Sequence, residues 1–251
     1  MEKYAFFLDI DGTLASGGKI HERNIKAICK AQKDGHLFFI NTGRSYSYIP
    51  QFVRESIDFD GFISGLGADI RIGNKQIYSK TFPSNLLLEL AEMANSVPDK
   101  IILFEGEEYV YFKNTWYDVE KGIELSDYNE FKTKYKDAKI SKVSLEPIDK
   151  SLFTPFLDRL TLFDHEKYFE AAIKGCNKAT AMLYAAERIG IPKERCVAMG
   201  DSLNDEDMLN AAGISVVMEN GHEKMKQIAD IITENAWDGG VASAIEKITK
   251  I

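Results

Sequence analysis

Cysteine is scarce in this sequence, and so are the patterns that would give it a structural role. The 251 residues include only Cys29, Cys176 and Cys196, and none of them stands in a CxxC or CxxH spacing. Such spacings mark zinc sites, and dense cysteines mark disulfide-stabilised secreted domains. The sequence therefore gives no sign of either class, and we expect three buried free thiols.

Long apolar runs and an excess of basic charge are missing as well. No stretch reaches the roughly 18 apolar residues of a membrane span, and the N-terminal apolar segment ends at the charged Asp9, too early for a secretory signal. With 39 acidic and 31 basic residues, the formal net charge is −8. Such a charge disfavours nucleic acid or an anionic membrane as a partner. We expect a cytoplasmic protein that acts on small molecules.

The chain does have enough apolar residues for a large core, at 45% of its length. Its start reads as strand, helix and strand, because apolar segments at residues 4–8 and 36–40 flank a helical pattern at residues 21–33. Neither apolar segment alternates with polar residues. This predicts strands covered by helices on both faces, and therefore a parallel α/β sheet.

The end of the chain repeats this alternation after a middle part that lacks it. A hairpin of residues 68–72 and 76–79 leads into the middle part. We therefore predict a parallel core of residues 1–81 and 174–251, with an α+β insert at residues 82–173. The C-terminal pattern predicts helices at residues 178–189, 205–212, 222–229 and 240–248, and strands at residues 195–199, 214–218 and 231–232.

The insert is less regular than the core. Apolar segments predict strands there at residues 100–104, 109–113 and 141–146. Between the first two stand three acidic residues, Glu105, Glu107 and Glu108. A short run of like charge is typical of a solvated surface, so we interpret these residues as a solvated turn.

Two carboxylates, Asp9 and Asp11, directly follow the first strand, in the sequence DIDGT at residues 9–13. Ligands of open α/β sheets bind just beyond the carboxyl ends of the strands. Carboxylates two residues apart at a buried strand end repel each other and lose solvation, so a purely structural role explains them poorly. Gly12 lets the backbone turn there, and Thr13 can form a local hydrogen bond.

Polar residues follow two further strands. After the second strand, the Thr42 hydroxyl and the turn amides around Gly43 can hold a phosphate oxygen. After the strand at residues 195–199, the sequence GDSLND adds Asp201 and Asp205. In isolation either segment is also typical of a helix N-cap.

The four carboxylates together change this interpretation. Asp9, Asp11, Asp201 and Asp205 all lie at the predicted carboxyl edge of the sheet. Oxygen ligands with few histidines or cysteines favour magnesium. Lys178, at the start of a predicted helix, is a candidate positive charge for the same place. The sequence therefore predicts a site that holds a hard cation and an anion.

These motifs, in this order, resemble those of the haloacid dehalogenase superfamily of phosphatases, in the Cof-like subgroup with a type IIB cap. The resemblance spans nearly the whole chain. The family's DxDGT motif stands at residues 9–13, its Ser or Thr after the second strand as Thr42, its lysine as Lys178, and its GDxxND motif at residues 200–205. Where the family often has Asn, this chain has Leu66.

The resemblance implies a Rossmann-like α/β core with an inserted α+β cap that selects the substrate. It also implies a magnesium-dependent phosphatase that hydrolyses small phosphorylated metabolites, sugar phosphates above all, through an aspartyl-phosphate. Asp9 would be the nucleophile, and Asp11 the general acid and base. Mg2+ would be held by Asp9, the Asp11 backbone carbonyl and Asp201, with Asp205 supporting the metal through water or orienting Lys178. The phosphoryl oxygens would be held by Thr42, Gly43, Lys178 and Asn204.

Two other functions share parts of this chemistry. A phosphosugar mutase uses the same first half-reaction, and the sequence leaves it open. A signalling receiver domain also forms an aspartyl-phosphate with acidic residues, a threonine, a lysine and magnesium. Against the receiver stand the length of the chain, the large insert in the core, and Asp11 as an acid and base two residues from the nucleophile.

Overall fold

The described part of the chain folds into two main β-sheets and a small two-stranded one. The computed structural model describes residues 2–97, 101–113, 122–146, 150–164 and 168–250. Within them, no helix combines the length and apolarity needed to cross a membrane. The strands of the described residues are β1 (Ala5–Leu8), β2 (Ala15–Ser16), β3 (Lys19–Ile20), β4 (Leu37–Asn41), β5 (Gly61–Ser64), β6 (Asp69–Ile72), β7 (Lys75–Ser79), β8 (Ile101–Gly106), β9 (Tyr109–Lys113), β10 (Ile123–Leu125), β11 (Ile140–Glu146), β12 (Leu160–Asp164), β13 (Phe169–Ile173), β14 (Cys196–Gly200), β15 (Ile214–Met218) and β16 (Ile231–Thr233).

The helices and strands predicted for the two ends of the chain are present, and α5 and β15 have the predicted bounds. The α-helices of the described residues are α1 (Glu22–Lys33), α2 (Gln51–Ser56), α3 (Ser84–Ser96), α4 (Tyr128–Lys134), α5 (Lys178–Ile189), α6 (Glu206–Ala211), α7 (Glu223–Ile228) and α8 (Gly240–Thr249). Short 3₁₀ helices lie at Tyr46–Tyr48, Lys150–Phe156, Lys193–Arg195, Leu203–Asp205 and Ala236–Asp238.

The eight-stranded core sheet has the order β16-β15-β14-β1-β4-β5-β6-β7. Strands β16 to β5 run parallel, and β6 and β7 form the predicted hairpin at one edge. In β1, Phe6 packs into the apolar cluster with α1 and α8, and Phe7 packs into the cluster with α5 on the opposite face. The prediction of a parallel sheet covered on both faces is therefore confirmed.

The inserted six-stranded sheet has the order β10-β9-β8-β11-β13-β12 and carries helices α3 and α4. Here the interpretation of the acidic run was wrong for Glu105, which lies in β8 and is only 3% exposed. Its side chain points to a basic partner on β11, so strand alternation rather than solvation places it. Glu107 is exposed in the turn that follows.

Two of the three thiols are buried as predicted. Cys176 and Cys196 lie in apolar clusters, and burial raises the pKa of each thiol. Cys29 differs, because its position on α1 leaves it only half-buried. The described residues contain no disulfide.

The two connections between the sheets run side by side. Lys80, after β7, donates from Nζ to the backbone oxygen of Lys174, after β13, at 3.0 Å. Leu66 and Ala68 of the core pack into the apolar cluster of the inserted sheet. The insert therefore enters and leaves the core at one point, on the side where β4 and β5 end.

Candidate active site

The carboxyl ends of three neighbouring core strands meet at one place. Strand β1 lies between β14 and β4 and runs parallel to both. Asp9 follows β1, Thr42 follows β4 and Asp201 follows β14, so the three residues lie along one edge of the sheet. The backbone N–H of Asp9 extends the pairing by donating to Met199 O at 3.0 Å. This bond fixes the start of the loop that carries Asp9 and Asp11.

Lys178 is the cation at the centre of the site. Its Nζ donates to Asp9 Oδ1 and Asp205 Oδ1, both at 2.7 Å, and to Asn204 Oδ1 at 3.2 Å. The side chain is fully buried. Burial lowers the pKa of Lys178, but the charges of Asp205 and Asp9 outweigh burial, and the net shift is upward. The lysine is therefore a fixed positive charge.

Helix α5 begins at this lysine and positions it. Asn177 caps the helix, because its Oδ1 accepts from Thr180 N at 2.7 Å. Asn41, at the end of β4, donates from Nδ2 to Lys178 O at 3.0 Å. A Cβ at Gly67, which has φ +87°, would lie 2.4 Å from Asn177 O. Only glycine lets the loop after β5 approach the helix start this closely.

Three of the predicted carboxylates form a group suited to a divalent cation. One oxygen from each of Asp9, Asp201 and Asp205 lies within 4.8 Å of the others. Burial raises the pKa of Asp9 to about 8 although Lys178 opposes the shift. Burial, followed by the charge of Asp205, raises the pKa of Asp201 to about 7. A divalent cation bound here would stabilise the ionised carboxylates, and carboxylate oxygens are the ligands that a hard cation such as Mg2+ prefers.

Asp205 has protein donors on both oxygens. Its Oδ1 accepts from Lys178, and its Oδ2 accepts from the backbone N–H groups of Asp201 and Ser202, both at 3.0 Å. With Ser202 it forms a capping box on the short 3₁₀ helix that precedes α6. Asp205 therefore orients the lysine and the loop, and Asp9 and Asp201 are the better direct ligands.

The side chain of Asp11 does not join the carboxylate group, contrary to the prediction that all four carboxylates converge. Its carboxylate accepts two hydrogen bonds from Arg44, from Nε at 2.6 Å and from Nη2 at 2.9 Å. This side chain is 60% exposed, whereas Asp9 is buried. Repulsion from the other aspartates and a bidentate partner on the loop after β4 account for the difference.

The loop that carries Asp11 is held close to Asp201. Gly12 has φ +79°, and a Cβ there would lie 2.4 Å from Asp201 Oδ2, so a side chain at this position would collide with the carboxylate. Thr13 Oγ1 donates to Asp201 Oδ1 at 3.0 Å. Asn220, after β15, donates from Nδ2 to Gly12 O at 2.8 Å and accepts from Ala236 N at 2.8 Å.

The residues predicted to hold phosphate are linked by short contacts, since Lys178 Nζ donates to Asn204 Oδ1 and Asn204 lies close to Gly43. Thr42 is buried, and its Oγ1 accepts from Arg44 N at 3.2 Å. The Nδ2 atom of Asn204 lies 3.6 Å from the position that a Cβ would take on Gly43. Leu66 has a positive φ of +56°, and its Cδ2 atom lies 3.4 Å from the same Cβ position on Gly43. Asn tolerates this left-handed conformation better than Leu, so the Asn that the family resemblance implies at this position would fit the backbone better.

The family model for haloacid dehalogenase-like hydrolases matches residues 6–245 of the chain. The chain belongs to this family. It is similar to a 5-amino-6-(5-phospho-D-ribitylamino)uracil phosphatase of Bacillus subtilis, with 27% identity and 97% of each chain covered. It is also similar to a phosphoglycolate phosphatase of Methanobrevibacter smithii, with 26% identity and 97% of each chain covered.

Solved structures of this family have the same fold. A sugar phosphatase of haloacid dehalogenase subclass IIB is 24% identical, with a TM-score of 0.84 over 99% of this chain and 100% of the other. The resemblance seen in the motifs is confirmed, and so is the α/β fold. The chain is a phosphoric monoester hydrolase of the haloacid dehalogenase-like family.

Sequence reasoning missed several residues that shape the site. Arg44 stands next to Gly43 in the second motif, and this adjacency was the available signal. Asn220 lies in a distant loop whose sequence gives no signal. Lys142 and Glu170 are buried on the inserted sheet. Glu170 is the single charge of β13, and Lys142 stands between small and apolar residues within β11, which is a recognisable signal of a paired or functional charge.

Proposed function

We propose that this chain is a magnesium-dependent phosphatase that hydrolyses small phosphorylated metabolites, such as sugar phosphates, through an aspartyl-phosphate on Asp9. The observation that carries the proposal is the Asp9 carboxylate at a strand end, bound by the buried Lys178 at 2.7 Å with Asp201 close by. A nucleophile, a fixed cation and a cation site in one place are what phosphoryl transfer requires.

The metal would be held by Asp9, the backbone carbonyl of Asp11 and Asp201. When bound, magnesium supplies positive charge that lets an anionic nucleophile approach an anionic ester. Lys178 already holds Asp9 Oδ1, which fixes the carboxylate and leaves Oδ2 as the attacking oxygen. Thr42, Gly43, Asn204 and Lys178 hold the phosphoryl oxygens as charge shifts in the transition state.

Asp11 moves the proton in both half-reactions. In the first, Asp9 Oδ2 bonds to phosphorus, the ester P–O bond breaks, and Asp11 gives its proton to the leaving oxygen. In the second, water attacks phosphorus, Asp11 accepts the proton of that water, and the bond to Asp9 breaks to release inorganic phosphate. The 60% exposure of the Asp11 side chain suits a group that leaves Arg44 to meet a substrate.

We further propose that one part of the chain carries out catalysis and the other selects the substrate. Residues 1–81 and 174–251 form the catalytic core, and residues 82–173 form a cap that closes over the leaving group and selects the substrate. The relatives named above act on a ribityl phosphate and on phosphoglycolate. The leaving groups of these two substrates differ in charge. We therefore expect the cap of this chain to bind one such class of leaving group better than the other.

The proposal is tested by turnover of an aryl phosphate with magnesium and with EDTA. We expect many turnovers with magnesium, release of inorganic phosphate, and no activity for Asp9→Asn. Asp11→Asn should lose about 10²–10⁴-fold on an alkyl ester and less on the aryl ester, whose leaving group scarcely needs a proton. Labelling that stops after one equivalent, or full activity of Asp9→Asn, contradicts the proposal.

A further inference from the structure

One loop at the carboxyl edge of the core sheet contacts both loops that carry the predicted magnesium ligands. It comprises residues 219–222 and follows β15. Asn220 donates from Nδ2 to Gly12 O, in the loop after β1, at 2.8 Å. His222 donates from its backbone N–H to Asp201 O, in the loop after β14, at 2.7 Å. The loop after β15 is therefore joined to each of the other two loops by a hydrogen bond.

The contact between Asn220 and Gly12 joins loops whose strands are not neighbours. Strand β14 lies between β15 and β1 in the core sheet, so the strands that precede the two residues are separated by one strand. Backbone pairing within the sheet therefore acts on these two loops only through β14. The side chain of Asn220 supplies a direct connection between them.

The side-chain amide of Asn220 is held in one orientation. Its Oδ1 accepts from Ala236 N at 2.8 Å, at the start of the short 3₁₀ helix Ala236–Asp238, while its Nδ2 donates to the carbonyl of Gly12. An amide oxygen can only accept and an amide NH2 group can only donate, so turning the amide over would lose both bonds. An ionised carboxylate of the same size has no donor for Gly12 O.

The bond to Gly12 O bears on two of the groups predicted to bind magnesium. Gly12 N also donates to Ala15 O at 3.0 Å, so Gly12 is held through both its N–H and its C=O. The peptide between Asp11 and Gly12 is planar, and fixing its N–H also fixes the direction of the Asp11 carbonyl. After Gly12, Thr13 donates from Oγ1 to Asp201 Oδ1 at 3.0 Å. A shift of Gly12 would therefore move both the Asp11 carbonyl and the hydroxyl that holds Asp201.

We propose that Asn220 is a positioning residue for magnesium, which acts through Gly12 to set the Asp11 carbonyl and the Asp201 carboxylate at the spacing that the cation needs. This inference rests on the proposed magnesium-dependent function. Removing a group that orients metal ligands typically weakens metal binding about 10–100-fold. A purely structural contact with the helix at Ala236 would instead change the stability of the fold and leave the affinity for magnesium unchanged.

Calorimetric titration of magnesium into the metal-free protein tests this without any turnover. We expect Asn220→Ala to raise the Kd of magnesium about tenfold or more. Asn220→Asp keeps the acceptor for Ala236 N but lacks the donor for Gly12 O, so it should also weaken binding, although its added negative charge attracts a cation. Asn129→Asp adds the same charge at an exposed position of α4 and should leave the Kd unchanged.

Two further measurements separate positioning from a folding defect. In aryl phosphate turnover, both variants of Asn220 should need about tenfold more magnesium for half-maximal rate but reach nearly the kcat of the parent at saturating magnesium. Thermal melts in EDTA report the fold, and if Asn220→Ala does not fold, Asn220→Asp decides, because it keeps the bond from Ala236.

The outcomes distinguish this inference from the proposed function. Equal Kd values for magnesium in the parent and the folded variants of Asn220, or a kcat that stays low at saturating magnesium, overturn the inference and leave the proposed function standing. A parent that binds no magnesium overturns the proposed magnesium dependence, and this inference with it.

Discussion

At the scale of single residues, we expect Lys178 to contribute more to the stability of the site than the other residues do. It is fully buried between Asp9 and Asp205, and removing one partner of such a group leaves uncompensated buried charges. We expect Lys178→Met to lower the free energy of unfolding by about 3–5 kcal/mol, measured by urea denaturation.

The controls separate this loss from an ordinary lysine effect. Lys26→Met removes an exposed ion pair with Glu22 on α1 and should leave the free energy of unfolding nearly unchanged, because solvent screens such a pair. The double variant Lys178→Met/Asp205→Asn should recover part of the loss, because one buried carboxylate is neutralised. Equal free energies of unfolding for Lys178→Met and the parent would show that the charge of Lys178 does not stabilise the fold.

Asp201 gives the metal-free protein a pH-dependent stability. Its pKa is about 7 in the folded state and roughly 3.9 in the unfolded state. Between these values the folded state keeps a proton that the unfolded state has lost, so stability falls as pH rises through this window. In EDTA at pH above about 7, where that loss is complete, we expect Asp201→Asn to melt higher than the parent.

Thermal melts with EDTA and with magnesium check this prediction. Magnesium should raise the melting temperature of the parent, since it binds only the folded site, and should do little for Asp201→Asn. Asp58→Asn, at an exposed position, should behave like the parent in both. A variant of Asp201 that melts lower than the parent in EDTA would show that its bond from Thr13 outweighs the repulsion.

The charged residues of the core site could be predicted because each directly follows an apolar strand or starts a helix. Asp9, Asp201 and Lys178 carry that local signal. The pairing of Asp11 with Arg44 could not be predicted, because it depends on how two loops approach each other in space. The interpretation of Glu105 was wrong for the same reason, since its partner Lys142 lies on another strand.

At the scale of elements, the cap of α5 links helix stability to the site. Asn177 caps the helix whose first residue is Lys178. We expect Asn177→Ala to cost about 1 kcal/mol and also to lower kcat, because the start of the helix frays. Asp127→Ala removes an equivalent cap from α4 and should cost stability without lowering kcat toward an aryl phosphate. An equal effect of both variants on kcat would contradict the link.

The elements themselves differ in how far the sequence predicts them. Parallel core strands alternate with helices, so the local pattern gives both their bounds and their neighbours, as in α5 and β15. In the inserted sheet, the pattern predicts β8, β9 and β11 but not the order β10-β9-β8-β11-β13-β12. That order depends on pairings between distant segments, which no local period encodes.

At the scale of the whole molecule, the two connections between the sheets lie side by side, because Lys80 Nζ donates to the backbone oxygen of Lys174 at 3.0 Å. A short linker can therefore replace residues 83–173. We expect the remaining core to bind magnesium and hydrolyse an aryl phosphate, but to lose its discrimination among sugar phosphates. Unchanged relative kcat/KM values would show that the insert does not select the substrate.

The central claim is that Asp9 becomes phosphorylated during turnover. Borohydride reduces an acyl phosphate to the alcohol, so acid quenching during steady-state turnover, followed by reduction, converts a phosphorylated aspartate to homoserine. Peptide mass spectrometry then locates the modified residue. We predict homoserine at position 9, dependent on magnesium and on the ester, and none in Asp9→Asn. Continued ester hydrolysis with homoserine at position 11, or with an unmodified Asp9 peptide at every quench time, would contradict the account.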